Sequence, residues 1–363
     1  ITDRAAVADS HDSMAITITD AVTVAEANKI ILAMTKGAVT ATISNGDIAT
    51  LKTTVNNTTL SGLNEVTTGG ANEAGHILSV TLTESTVTAA DLNEIDTRTA
   101  GTVTVSAGTN ITGDFTAPTA LETAFASTGI TGITTVSSTA AASVAQVNNI
   151  IAKTTAVVTA TVNDKTLTGL AGLTGTGNAL TIEVDDASAD AAAINVINGK
   201  TTVAVKVDAT TITGALSDIK TLYDSNTAGT VTNLGNEVVT ISDAGSVAAA
   251  DLHAVNTLTN GVVSANSVAV VTGSVVDLLK VYSSGNTAGV IAGLGNESII
   301  ITDTGTVAAS DITTLDGLTS GSIAATSVTK LTGSVTEITA ARSGATVTGL
   351  TGLALTGSTE TFD

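Results

Sequence analysis

The chain has no cysteine and no tryptophan, only one proline, three phenylalanines and two tyrosines. Without cysteine there are no disulfides, thiolate metal sites or cysteine nucleophiles. So few rings argue against a conventional large-side-chain core and against a binding face anchored on aromatics. Cations are also scarce: 13 Lys+Arg against 33 Asp+Glu give a formal charge of −20. Nucleic-acid binding, which needs cations for the phosphates, is therefore excluded, and anionic membrane surfaces are disfavoured. No apolar run reaches the length of a membrane span and no signal peptide is visible. The first residue is Ile1 and not Met, which predicts a processed chain or a segment of something longer.

What is present is small and β-branched. Of the 363 residues, 43% are apolar, mostly Ala, Val, Ile and Leu, and threonine adds about a fifth. That mixture is too hydrophobic for disorder and suits thin, closely stacked strands with short helices.

The strongest signal is internal repetition. NTAGTVTNLGNEVVTISDAGSVAAAD (226–251) returns sixty positions later as NTAGVIAGLGNESIIITDTGTVAASD (286–311). TVTAADLNEIDTRTAGTVTVS (86–106) aligns with 306–326, placing Asp91 on Asp311 and Gly101 on Gly321. Looser copies begin at 23, 143 and 189, giving one continuous array of about six units over 1–363. Their approximate bounds are 1–76, 77–129, 130–177, 178–225, 226–285 and 286–345, with a terminal strand segment 346–363.

Within a unit the period changes. Stretches such as LSVTLTE (78–84) and VVTISD (238–243) read as strands ending in an acid. Leu92 and Ile95, or Ile312 and Leu315, then sit three apart, as one face of a short helix requires. Gly101, Gly261 and Gly321 are expected to stop these helices before a second strand, and a second helical patch follows (215–225, 275–284). Strand, helix, strand, helix implies an α/β fold, a repetitive solenoid of parallel strands alternating with short helices. Because helices are wider than the strand spacing, the two strands of a unit are expected to share one continuous, curved sheet.

Few residues point to chemistry. Asn296, Glu297 and Asp303 offer oxygens to calcium, but a Gly-Asn turn with a solvated glutamate accounts for GLGNE as well. Asp91, Asp251 and Asp311 are expected in first helical turns, where a carboxylate favours the dipole. Glu84, Asp243 and Asp303 are expected to cap or turn the chain into the helices after them. His11, His76 and His253 are too scattered for a metal site or triad. LTGTGN (173–178) lacks the lysine of a phosphate loop, and Tyr223 and Tyr282 are expected to pack inward. Asn57, Asn110 and Asn296 begin Asn-x-Ser/Thr tripeptides. Ice binding would need a sustained Thr-x-Thr column, and the threonines are spread over strands, turns and helix starts.

The stretches VTISDAGSVAAADLHAVNTLTNGVVSANSV (239–268) and ITDTGTVAASDITTLDGLTSGSIAATSVTKLTGSVTEITAA (301–341) resemble repeats of giant secreted surface proteins of marine cyanobacteria, including the one associated with swimming. The resemblance is closest over 226–345; it implies an extracellular, structural or adhesive role and carries no catalytic residues. The expected function is therefore a cell-surface filament or layer, non-enzymatic, with the chain itself as partner and cell-envelope polysaccharide as a second. A stalk of a large adhesin or phage fibre is the alternative. Both ends read as repeat strands, so Ile1, Thr2, Asp3, Ser358, Glu360 and Phe362 are candidates for head-to-tail assembly. A polysaccharide lyase would want clustered cations and sugar platforms that the chain has in short supply.

Overall fold

A computed structural model describes residues 15–32, 37–44, 46–53, 76–116, 119–284 and 291–350. The protein is mixed α/β, with parallel sheets and short helices, and it divides into two compact units: 1–164 with 172–181, and 165–171 with 182–363.

Every strand pairing among the described residues is parallel. In the second unit, partners lie from 23 residues apart (Ser188 with Thr211) to 28 apart (Val270 with Ser298). The pairing sets buried residues in line: Ala189, Ile212, Val239, Val263 and Ile291 meet edge to edge, none more than 2% exposed. The first unit repeats the device with Val87, Ile111, Val136 and Val158. Each such Val, Ile or Leu contributes about 1.5–3 kcal/mol by leaving water. This is how a chain almost without rings builds a core.

The two strands read from the repeat do share one continuous sheet, but it is not the only sheet that a unit enters. Val238–Ile241 and Val263–Ser264 belong to one five-stranded sheet, whereas Ser246–Ala248 and Val270–Gly273 belong to another. A sixty-residue unit thus adds two layers, and the described strands of 226–285 enter three sheets, since Val231–Thr232 belongs to a three-stranded one. The second strands, SVA and VVTG, merge in the sequence with the helix starts that follow them, which hid them.

The expected misfit between thin strands and wide helices is relieved by small residues. The helices Ala249–Asn256 and Val275–Ser284 pack together, as do Ala309–Asp316 and Val335–Ser343. At four layer steps a strand-end glycine lies over the first alanine of an earlier helix. Gly113 over Ala89, Gly214 over Ala191, Gly273 over Ala249 and Gly333 over Ala309 all fit this pattern, with a Cβ on the glycine reaching the alanine Cβ at 3.6, 3.4, 2.9 and 3.5 Å. The helical faces fall where the spacing puts them: Leu92, Ile95, Ile312 and Leu315 are fully buried.

Gly101, Gly261 and Gly321 do not stop helices, which end at Thr97, Asn256 and Asp316. They lie against the backbone of an earlier strand, at Leu78, Glu237 and Glu297, where any Cβ would overlap the main chain. A threonine two residues before each one locks the approach. Thr259 Oγ1 donates to the Glu237 carbonyl (2.9 Å) and accepts from Gly261 N (3.0 Å), and Thr99 and Thr319 act alike.

Candidate functional site

The residues singled out by repetition prove to hold layers together. Asp243 and Asp303 do cap helices, but not the ones that follow them. Asp243 Oδ2 accepts from Leu216 N (2.7 Å) and Asp303 Oδ2 from Val275 N (2.8 Å), at the starts of helices 27 and 28 residues earlier. Glu84 does the same for Ile48 N, Asp164 for Val144 N and Asp186 for Leu167 N. Parallel pairing brings the acid at a strand's end beside the previous helix start, where orphan amides and the positive dipole end favour a carboxylate. Asp91, Asp251 and Asp311 lie in first helical turns, as expected.

Glu237 and Glu297 depart from expectation. The expected turn is present, with Gly235 and Gly295 at positive φ (134° and 126°), but the glutamates are only 5% and 3% exposed. Glu237 accepts from Gly235 N (2.8 Å), Asn236 N (3.2 Å) and the Tyr223 hydroxyl (2.9 Å). Glu297 repeats this with Gly295 N, Asn296 N and Tyr282. Burial first, then the adjacent carboxylate, pushes both tyrosine hydroxyls well above their usual range. The signal for this pairing in the sequence is that tyrosine and glutamate recur together in the two copies.

The calcium candidates are accordingly not brought together. Glu297 folds back on its own turn, Asp303 reaches a helix start, and Asn296 contributes its amide to Glu297. Among the described residues no group of three His, Cys, Asp or Glu is placed to hold a metal. His76 is buried, accepts from Val39 N through Nδ1 (3.2 Å), and burial pushes its pKa down. His253 lies on the helix Ala249–Asn256, in the other unit. In LTGTGN, Gly175 and Gly177 turn the chain at positive φ and Asn178 accepts from Val158 N. His11, Asn57, Ile1, Thr2, Asp3, Ser358, Glu360 and Phe362 lie outside the described residues.

Threonine columns absent from the linear sequence do form. Thr88, Thr112, Ser137 and Thr159 align outward across four strands until Ala179, and the neighbouring column is Thr86, Asn110, Thr135 and Val157. Strand threonines in both units turn their hydroxyls along the sheet. Thr135 Oγ1 donates to the Thr109 carbonyl (3.0 Å), Thr272 to Val247 (3.2 Å) and Thr348 to Ile323 (3.2 Å), each to the preceding layer. Thr210 and Thr329 add similar bonds from turns. The abundance of threonine thus has a physical role: its β-branch suits the strand and its hydroxyl stitches a layer to the one before it.

Compared with family models, curated proteins and solved structures, the chain matches none. No helix among the described residues is long and apolar enough to cross a membrane.

Proposed function

We propose that the protein is a non-enzymatic, extracellular α/β repeat protein whose layers wind as one solenoid and which forms, or contributes to, a cell-surface filament or layer. The observation that carries this reading is the uniform rule of strand addition. Among the described residues each added strand pairs in parallel with one a layer earlier, and acid caps, glycine contacts and hydroxyl bonds of the same kinds recur between layers along both units. A surface that accepts the next layer of its own chain has the chemistry to accept the first layer of another copy. Head-to-tail addition with a rotation that does not close gives an open filament. The charge of −20 keeps such a polymer soluble and laterally separated. The resemblance of 239–268 and 301–341 to repeats of giant cyanobacterial surface proteins supports a cell-surface setting, with envelope polysaccharide as a natural neighbour.

The test is negative-stain electron microscopy of the purified chain, with sedimentation velocity over a range of concentrations. Fibres of uniform width and concentration-dependent sedimentation are expected. A chain that stays monomeric at high concentration with no fibres overturns self-assembly. The alternative, a stalk within a large adhesin or phage fibre, is favoured instead if the gene encodes a far longer polypeptide with this array inside it.

A further inference from the structure

A shallow cavity of about 400 Å³, wide open to solvent, lies on the first unit beside the C-terminal ends of the helices Ala120–Ala126 and Val144–Ile151 and the turn after Ile130–Thr131. Its lining joins two kinds of surface. Phe125 and Ile133 provide an apolar wall, while Thr131, Thr154, Thr155 and Lys153 bring hydroxyls and an ammonium. Phe125 is half-buried, whereas the other described rings, Phe115, Tyr223 and Tyr282, are buried. Among the described Phe and Tyr rings, the one with access to solvent therefore lies where a lysine and three threonines line the same depression. Gly132 shapes the rim: its φ is 83°, and a Cβ there would overlap the Val105 carbonyl.

Charge narrows the ligand class. Lys153 Nζ contacts Glu122 Oε1 at 2.6 Å, so its charge is matched while two of its three donor hydrogens remain for a ligand. A balanced pair in a chain of net charge −20 does not favour an anion. A pyranose ring fits better: its C–H face lies on an aromatic ring and its hydroxyls pair with hydroxyl and ammonium groups. The volume falls within the roughly 300–1,000 Å³ range of small-molecule sites. We propose that this cavity binds a neutral sugar residue of a glycan, with Phe125 as the stacking platform and Lys153, Thr131 and Thr155 as hydrogen-bonding groups. The inference rests on the surface reading only for its biological setting, since it places the polysaccharide contact on particular side chains.

The test is calorimetric titration of the full chain with methyl glycosides of neutral hexoses and N-acetylhexosamines, and separately of uronic acids. Saturable binding of at least one neutral glycoside is expected, weakened about tenfold or more by Phe125→Ala and several-fold by Lys153→Met. Val276→Ser, on an exposed helical position of the other unit, is expected to bind like the parent. Circular dichroism checks each variant's fold; should Phe125→Ala misfold, Lys153→Met and the exposed Thr155→Val decide the matter. Absence of binding to every neutral glycoside, binding confined to uronic acids, or binding unchanged in all folded cavity variants overturns the proposal. None of these outcomes bears on fibre formation, which microscopy tests separately.

Discussion

Removing the Glu237 carboxylate is the most informative single perturbation of the layered turn. Three donors converge on it: the amides of Gly235 and Asn236, and the hydroxyl of Tyr223, which is fully buried. Tyr223→Phe keeps the ring and deletes one bond to a charged acceptor, a loss of about 1.5–3 kcal/mol. Glu237→Ala leaves the fully buried Tyr223 hydroxyl short of a partner at about 1–3 kcal/mol, whereas water can reach the amides of half-exposed Gly235 and exposed Asn236. With the lost bonds of the turn added, the expected total is roughly 2–4 kcal/mol. Urea unfolding followed by far-UV circular dichroism reads both variants. In the Glu237→Ala background, Tyr223→Phe should cost at least about 1 kcal/mol less than it does alone, because their shared bond is already gone. A Glu237→Ala variant within about 0.5 kcal/mol of the parent, or two losses that simply add, would refute the argument.

Alkaline pH should act on the same pair. The folded tyrosines hold their protons above the usual value near 10, whereas the unfolded chain releases them there. Their contribution to stability is complete below that pH and falls as pH rises past it, and the double variant Tyr223→Phe/Tyr282→Phe should flatten the decline in a thermal-unfolding series. Gly261→Ala should destabilise by at least about 2 kcal/mol, since a Cβ meets the backbone at Glu237 and the lock from Thr259 prevents retreat; urea unfolding measures it. Thr272→Val keeps the β-branch and deletes the bond to the Val247 carbonyl, so a smaller loss of about 0.5–1.5 kcal/mol is expected by the same assay.

Much of the fold was legible because it repeats. Sixty-residue spacing, parallel strands, the helical faces of Leu92/Ile95 and Ile312/Leu315, and the first-turn positions of Asp91, Asp251 and Asp311 all follow from local pattern. What the pattern hid was set by the neighbouring layer. Ser246–Ala248 is three residues long and runs straight into a helix, so no alternation marks it as a strand. Asp243 and Asp303 look like caps for the next helix, yet pairing sets them beside the previous one. Glu237 and Glu297 resemble exposed turn residues, and only the return of a tyrosine from the preceding helix buries them. Phe125 and Lys153 are 28 positions apart and unrepeated, so nothing in the linear pattern joined them in one cavity.

The absence of cysteine makes the parallel layer register open to a direct chemical measurement. Thr240 and Ser264 are paired partners, half-exposed on neighbouring parallel strands, at a separation a disulfide can span. In Thr240→Cys/Ser264→Cys, mild oxidation should close an intrachain disulfide, whereas Thr240→Cys/Thr272→Cys, with the second site in another sheet, should stay reduced. Failure of the first pair to close, or closure of the second instead, would contradict the layered parallel architecture.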